Sequence, residues 1–354
     1  MSVYKKDELM IIDTEGGKVL SSPNYNFIFD KESGEFIRYG KTKEDDPSFS
    51  IYGPEIVDLE VTTICSGTRG KLCSFCYKSN NQIGSNMSYH TFTSIIDKLP
   101  KTVTQIAFGA DSTCTSNYDI WKMMEYCRES DIVPNITVAE VYDDVADNLA
   151  KHCGAVAVSR YDDKNICYDS VKKLTDRGMD QVNIHIMISE ETFEQVKETL
   201  HDIIVKRDPR LSKLNAIVFL SLKNKGRGED FTRLSQEHFT EIADTCLSYG
   251  VRFGFDSCSA IKFMNSIKGH ENEMEMLEMI EPCESSKFSA YINVEGDYFP
   301  CSFIEGTKGW EEGLSVLYCV DFLKDVWNHP RNVEFRNGCL SCLNKGVACQ
   351  VYRI

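Results

Sequence analysis

Apolar residues recur with two different spacings along most of the chain. Short runs rich in β-branched residues alternate with longer runs whose apolar positions follow the helical period. The predicted strands are 56–63, 103–109, 133–138, 154–159, 181–188 and 214–221. The predicted helices are 88–99, 117–130, 142–152, 164–178, 190–207 and 235–249. Six consecutive strand–helix units predict an α/β fold with a parallel sheet, curled by right-handed crossovers into a full or partial (β/α)6 TIM-like barrel. A doubly wound sheet with the same strand count is the alternative.

The two ends of the chain have a different pattern. Residues 1–54 contain short strand-like runs separated by turn residues, which predict a small N-terminal β-hairpin extension that covers a barrel edge. Residues 55–256 form the predicted barrel. Residues 257–354 form a small C-terminal unit, with a helix at 270–281, a β-hairpin within 289–300 and a helix at 318–328.

Composition and charge limit the function classes. The chain is 42% apolar and 26% charged, with a net charge of -15, so an extended nucleic-acid surface is not expected. The first residues lack the apolar core of a signal peptide, and no apolar run is long enough to span a membrane. We therefore expect a cytoplasmic protein. In that reducing compartment, 15 cysteines indicate metal ligation or redox chemistry rather than disulfides.

Three cysteines, Cys65, Cys73 and Cys76, lie on the loop that follows the first barrel strand. Three thiolates are one too few for a closed tetrahedral site, but they suit a metal centre that keeps one position open. Chemistry in such barrels takes place at the carboxyl ends of the strands, where this loop begins. A zinc knuckle, or ordinary reduced cysteines, is the alternative interpretation.

A second set of cysteines occupies the C-terminal quarter. Cys283 and Cys301 flank the predicted hairpin, the pair Cys339 and Cys342 follows, and Cys349 comes close to the end. Four thiolates in such an array can close a site fully, and the site is then an iron–sulfur cluster or a structural zinc.

The first cysteine loop resembles the cluster loop of the radical S-adenosylmethionine (radical SAM) enzymes. The resemblance rests on residues 59–65, Leu-Glu-Val-Thr-Thr-Ile-Cys, and on residues 72–77, Leu-Cys-Ser-Phe-Cys-Tyr. Seven residues separate Cys65 from Cys73, where the family usually has three. Two glycines in this insert allow it to bulge outwards. The resemblance implies a [4Fe-4S] cluster on Cys65, Cys73 and Cys76, with the fourth iron free to bind S-adenosylmethionine.

The same resemblance implies contacts to S-adenosylmethionine. Gly109, Ala110 and Asp111 correspond to the family's Gly-Gly-Glu turn, which holds the methionine amino group. Ala110 and Asp111 depart from the usual glycine and glutamate. Phe75 is expected to back the adenine. Further contacts, to the ribose hydroxyls and the methionine carboxylate, are expected at the ends of the next two strands, from Glu140, Ser159 and Arg160.

The second cysteine set resembles the auxiliary-cluster extensions called SPASM domains or, when shortened, twitch domains. Twelve residues separate Cys283 from Gly296 and four separate Gly296 from Cys301, which matches that hairpin. The resemblance implies one auxiliary [4Fe-4S] cluster on Cys283, Cys301, Cys339 and Cys342. Cys349 is then spare or a substitute ligand.

Together, these resemblances imply a radical SAM enzyme that reductively cleaves S-adenosylmethionine to a 5′-deoxyadenosyl radical. The radical would abstract hydrogen from a peptide or a small metabolite, and the auxiliary cluster would make the net reaction an oxidation or modification. A flavodoxin- or ferredoxin-type protein is the expected reductant. Two other classes stay open: a non-catalytic Fe-S electron-transfer or sensor protein, and a zinc-stapled binding module.

Three further features carry alternatives. The basic, glycine-rich segment 223–229 either meets a substrate carboxylate or phosphate, or is a solvated turn. His185 is either a satisfied barrel-core histidine or a ligand or proton donor. Cys114 and Cys258 lie near strand ends and are either hydrogen-atom donors or buried fillers. No catalytic residue is assigned from the sequence.

Overall fold

The computed structural model describes residues 1–278, 280–342 and 347–352. Its main feature is a ten-stranded sheet in the order β12-β11-β10-β9-β8-β7-β6-β13-β14-β15. The seven strands from β6 to β12 are parallel, in chain order Ile56–Glu60, Gln105–Gly109, Val133–Val138, Val156–Ser159, Val182–Ile188, Ala216–Ser221 and Phe253–Phe255. The predicted α/β partial barrel is confirmed, and the first six of these strands fall within the predicted runs.

Helices follow the barrel strands along the chain. The nine α-helices of the described residues, α1 to α9, are Tyr89–Lys98, Ile120–Glu129, Asp143–His152, Lys164–Thr175, Phe193–Ile204, Gln236–Tyr249, Ala260–Ser266, Glu273–Glu278 and Pro330–Leu340. Shorter turns are Lys43–Asp45, Pro209–Leu211, Gly226–Asp230, Ser257–Ser259 and the π-helical Leu323–Trp327. Within the described part of the chain, no helix has the length and apolar character needed to cross a membrane.

The barrel strands direct alternate side chains to opposite faces. In β10 the residues at even positions from Val182 to Ile188 are buried, whereas Asn183, His185 and Met187 are half-buried. This alternation follows from the two-residue period of a strand. The apolar face packs under the helices, and the half-buried face lines the inside of the barrel.

The C-terminal unit adds strands to the barrel sheet. Strand β13 (Ser289–Ile292) pairs in parallel with β6, from Ser289 beside Ile56 to Ile292 beside Leu59. The antiparallel strands β14 (Asp297–Phe299) and β15 (Leu314–Ser315) continue the sheet. The predicted hairpin is therefore present, and it extends the barrel beyond its first strand.

The N-terminal residues form a five-stranded antiparallel sheet with the order β1-β2-β3-β4-β5. Its strands are Ser2–Lys6, Leu9–Asp13, Gly17–Ser22, Tyr25–Asp30 and Phe36–Tyr39. The sheet packs against the amino ends of the barrel strands: Lys18 Nζ donates to the carbonyl of Val103 at 2.9 Å, and Tyr25 donates to Glu55. This sheet is larger than the predicted hairpin, and it closes the barrel at the end opposite the cysteine loop.

Candidate active site

A cavity of about 490 Å³ opens at the carboxyl ends of the barrel strands. All three cysteines of the first loop line it, together with residues from the ends of β6 to β11. We call it the main cavity. Its wall also includes Phe75, Gly109, Ala110, Asp111, Thr137, Ser159, His185, Met187, Lys223 and Asp256. One chamber therefore brings together a soft sulfur donor set and polar groups from several strands.

The insert between Cys65 and Cys73 forms its own tight turn. Thr68 and Lys71 exchange two backbone hydrogen bonds of 3.0 Å each, which returns the chain towards Cys73. Gly67 has a φ of 73°, and a Cβ there would clash with the Lys71 carbonyl. The seven-residue insert thus keeps the three cysteines on one cavity wall.

A segment after β11 clamps the cysteine loop from the opposite side. Arg227 Nε donates to the carbonyl of Cys73 at 2.8 Å, and its Nη1 donates to the carbonyl of Asn80 at 3.0 Å. The Arg227 backbone amide donates to the carbonyl of Cys76 at 3.0 Å. This is the role of the basic, glycine-rich segment: it holds the protein's own loop. The close approach explains the glycine at 226, where a Cβ would lie 2.5 Å from the Tyr77 carbonyl.

The cysteine loop has the chemistry of a cluster site. Burial raises the pKa of Cys73 to about 12, so a bound cation is needed to hold that sulfur as a thiolate. Among the described residues, no three His, Cys, Asp or Glu side chains converge as a single metal ion would require. A [4Fe-4S] cluster makes a different demand because it is bound through separate thiolates around its surface. Three thiols on one loop, all facing one chamber, fit such a cluster.

The Gly109–Asp111 turn lines the main cavity. The Asp111 carboxylate is turned into its own loop. Its Oδ2 accepts from the amide and hydroxyl of Thr113 at 3.1 and 2.7 Å, and its Oδ1 accepts from the Ser116 amide at 2.9 Å. Asp111 therefore shapes the turn, which leaves the backbone of Gly109 and Ala110 to face a ligand.

Phe75 and Ser159 lie where the main cavity meets a second space of about 340 Å³ beneath the insert. The Phe75 ring lies edge-on to Tyr161 and Phe231, with centroid separations of 5.7 and 5.8 Å. Aromatic contacts of this kind fix a ring in place. The predicted adenine-backing residue is thus held at the cavity wall.

Two predicted contacts do not reach the main cavity. Arg160 is 2% exposed and its Nη2 donates to Glu198 on α5 at 2.8 Å. Ser159 already points inwards, so the next residue of the strand points to the helix layer. Glu140 is also buried, and its Oε1 accepts from Arg69 Nε in the insert at 3.0 Å. The expectation that Arg160 and Glu140 contact a ligand in the main cavity is corrected accordingly.

A buried network that the sequence did not predict lies beside the cysteines. Lys78, two residues after Cys76, donates to Glu60 at 3.2 Å, to the Tyr291 hydroxyl at 2.9 Å, and to Glu305. Burial raises the pKa of Glu60 despite the lysine beside it. The network connects the cysteine loop to β6 and to the C-terminal unit. In the sequence, the only indication of this network is the position of Glu60 next to the cysteine motif.

His185 faces the main cavity from the middle of β10. Burial lowers its pKa to about 4, so the imidazole is neutral near pH 7. Its Nδ1 lies 3.4 Å from the Thr137 hydroxyl. A neutral histidine at this place can donate or accept one hydrogen bond from a bound molecule.

A separate cavity of about 200 Å³ lies in the C-terminal unit, and we call it the cysteine cavity. It is lined by five cysteines, namely Cys258, Cys283, Cys301, Cys339 and Cys349. Cys342 is absent from this wall; its Sγ lies 3.5 Å from the carbonyl of Gly338. Three of the four predicted ligands are thus brought together. Cys114, by contrast, is fully buried and lines neither cavity.

The two cavities share a wall made of Asp58, Lys223, Asp256, Ser302 and Phe303. Within it, Lys223 forms an ion pair with Asp256, and its Nζ lies 4.7 Å from the centre of the Phe303 ring. Asp58 is exposed only towards the two cavities, and this enclosure raises its pKa to about 6. A charged wall only one residue thick therefore separates the two sulfur-rich chambers.

Comparison with known proteins supports the fold. No family model matches the chain, and no curated protein matches it. Among solved structures, Streptococcus suis SuiB aligns at 14% identity and a TM-score of 0.67, covering 96% of this chain and 95% of SuiB. SuiB bound to S-adenosylmethionine aligns at 14% identity and 0.67, covering 97% and 96%. SuiB bound to its precursor peptide SuiA aligns at 13% identity and 0.69, covering 92% and 90%. These alignments show that the chain shares the fold of SuiB over nearly its whole length.

Proposed function

We propose that this chain is a radical SAM enzyme. The observation that carries the proposal is the convergence of Cys65, Cys73 and Cys76 on one wall of the main cavity, at the carboxyl ends of the barrel strands. The fold is shared with a protein that has been solved with S-adenosylmethionine bound. When bound, a [4Fe-4S] cluster and S-adenosylmethionine would supply a 5′-deoxyadenosyl radical for hydrogen abstraction.

The chain's own residues bind and orient the reactants. The three cysteines hold the cluster, and Arg227 keeps their loop against the barrel. Phe75 and Ser159 both line this chamber, where the ring of Phe75 would back the adenine and the Ser159 hydroxyl would meet the ribose. The backbone of Gly109 and Ala110 receives the methionine end. The Glu60–Lys78 network fills the space beside the cysteines with paired charges and so keeps water out.

The substrate enters the same chamber. We infer a peptide or a small metabolite, and the peptide is favoured because SuiB has been solved with a precursor peptide on the same fold. A second cluster in the cysteine cavity would accept an electron from the substrate, since only the shared wall lies between the two chambers. The net reaction is then an oxidation, with a flavodoxin- or ferredoxin-type protein as the reductant of the first cluster.

The first test measures iron, labile sulfide and electron paramagnetic resonance (EPR) on anaerobically reconstituted protein. We expect about eight irons per chain, and about four in the Cys65/Cys73/Cys76→Ala triple variant. The EPR signal of the dithionite-reduced protein should change when S-adenosylmethionine is added, and this response should vanish in the triple variant. The matched control is a Cys127/Cys153/Cys246→Ala variant, since these three cysteines are buried and line neither main nor cysteine cavity.

Two other outcomes would redirect the assignment. Zinc in place of iron would contradict the proposal and leave a metal-stapled binding protein. Iron with an EPR signal that does not change when S-adenosylmethionine is added would instead identify an electron-transfer protein.

A further inference from the structure

We propose that Cys349, and not Cys342, completes the ligand set of the second cluster, together with Cys283, Cys301 and Cys339. This inference rests on the proposed function, because it assumes that an iron–sulfur cluster occupies the cysteine cavity. It departs from the pairing that the C-x-x-C spacing of Cys339 and Cys342 suggested.

The shape of the cysteine cavity is the first observation. Cys349 lines it together with Cys283, Cys301 and Cys339. The Cys349 thiol is an electrostatic neighbour of both Cys283 and Cys301, which come from two different segments of the chain. Four thiolates that surround one space are what a four-cysteine cluster requires.

The anchoring of the segment that carries Cys349 is the second observation. The Tyr352 hydroxyl donates to the carbonyl of Phe303 at 2.8 Å, two residues beyond Cys301. Gln350 Nε2 donates to the carbonyl of Phe335 on α9 at 3.0 Å and lies 3.2 Å from Cys339 Sγ. The residues on the C-terminal side of Cys349 are therefore tied to the two elements that carry two other ligands. Cys349 is held between them.

The Tyr352 backbone amide adds a contact to the sulfur itself, at 3.5 Å from Cys349 Sγ. An N–H group directed at a ligating sulfur stabilises the thiolate and tunes the cluster that it binds. This contact involves the peptide unit, so it does not depend on the Tyr352 side chain.

Cys258 is the fifth cysteine that lines the cysteine cavity, and it has a neighbouring cation there. The Lys223 ammonium, which is paired with Asp256 in the shared wall, is an electrostatic neighbour of the Cys258 sulfur, as are Cys283 and Cys349. Cys258 thus belongs to the side of the cavity that faces the main chamber. We leave it out of the ligand set.

The test compares single variants after anaerobic reconstitution, with iron, labile sulfide and EPR as readouts. Cys349→Ala is expected to lose about four of about eight irons, and the signal of the second cluster, while the response to S-adenosylmethionine stays. Cys342→Ala and Cys258→Ala are expected to keep all of the iron. Cys319→Ala is the matched control, since this cysteine is 8% exposed, donates to the carbonyl of Val316 and lines neither chamber.

A more conservative variant covers the case in which Cys349→Ala fails to fold. Cys349→Ser keeps the size of the side chain and replaces sulfur by oxygen, so an altered EPR signal of the second cluster would support the ligand assignment. An unchanged signal would contradict it.

Several outcomes would overturn the inference while the proposed function stands. One is the loss of four irons in Cys342→Ala or Cys258→Ala with full iron in Cys349→Ala. Another is a wild-type protein that holds about four irons, all of them lost in the Cys65/Cys73/Cys76→Ala variant. A wild-type protein without iron would instead remove the proposed function itself.

Discussion

At the scale of single residues, Arg160 illustrates how a strand end can mislead. Ser159 and Arg160 are adjacent, so only one of them can point into the barrel. The structure gives that place to Ser159 and buries the Arg160 guanidinium, whose Nε and Nη1 have no hydrogen-bond partner among the described residues. A buried charge with two unpaired donors is a cost to folding rather than a binding site.

Replacing Arg160 by methionine should therefore leave S-adenosylmethionine binding intact. Glu198 keeps its second partner, Lys164, at 2.7 Å, so no buried carboxylate is stranded. We expect unfolding free energy to stay the same or to rise by about 1–4 kcal/mol. Thermal unfolding and equilibrium binding of S-adenosylmethionine to the reconstituted protein check both statements. If binding fails in a variant that folds normally, Arg160 is a ligand contact after all.

At the scale of elements, the insert in the cysteine loop depends on its glycines in two different ways. Gly67 and Gly70 both have positive φ values, of 73° and 79°. A Cβ at Gly67 would clash with the Lys71 carbonyl, whereas a Cβ at Gly70 meets nothing within 4 Å. An alanine at Gly70 would therefore introduce backbone strain alone, whereas an alanine at Gly67 would introduce the same strain together with a steric clash.

Gly70→Ala should cost about 1–2 kcal/mol, the usual penalty of a left-handed conformation for alanine. Gly67→Ala should cost more, because the turn must also open to relieve the clash. We expect reconstituted Gly67→Ala to lose iron from the first cluster faster than Gly70→Ala when a chelator is added. Equal rates of loss would show that the insert does not position the three cysteines.

The elements that the sequence predicts well are those with strong burial. The barrel strands β6 to β11 are apolar runs between helices of clear period, and each was found within a few residues of its predicted bounds. The strands and helices that were missed carry weaker signals: all five residues of β1 are exposed, β12 has three residues, and α9 includes two asparagines and a glycine.

The candidate site likewise has one part that the sequence predicts and another part that it does not. The cysteines of the first loop are contiguous enough to be recognised, and they do share a wall. Lys78 contacts Tyr291 and Glu305, which both lie more than 200 positions further along the chain. No local sequence pattern predicts contacts at such a separation. The hydrogen bonds of the Asp111 carboxylate could not be predicted for another reason: donors of its own loop compete for the carboxylate.

At the scale of the whole molecule, the C-terminal unit is continuous with the barrel. Strand β13 supplies the hydrogen-bonding partner on the free side of β6. Trp327, which is fully buried, donates from Nε1 to the carbonyl of Ser50 at 2.8 Å. Arg38 in the N-terminal sheet pairs with Glu284. The regions before, within and after the barrel are therefore packed on one another.

A chain cut after residue 268 should consequently fail to fold as a barrel. Removing β13 exposes the edge of β6, and an unpaired strand edge promotes aggregation. The full chain should show one cooperative thermal transition, whereas the shortened chain should aggregate or lack a transition by circular dichroism. A shortened chain with a native-like, cooperative transition would establish that the C-terminal unit is separable.

The N-terminal sheet closes the barrel at the end away from the cysteines. Strand β1 lies at the edge of that sheet, and its Lys5 and Lys6 are exposed. Coupling the protein to a support through these two amines would leave the chamber mouth facing the solution. The same orientation suits an electrode or a column that presents candidate peptides, provided that the attachment is specific to β1, because the Lys71 amine in the insert is exposed as well.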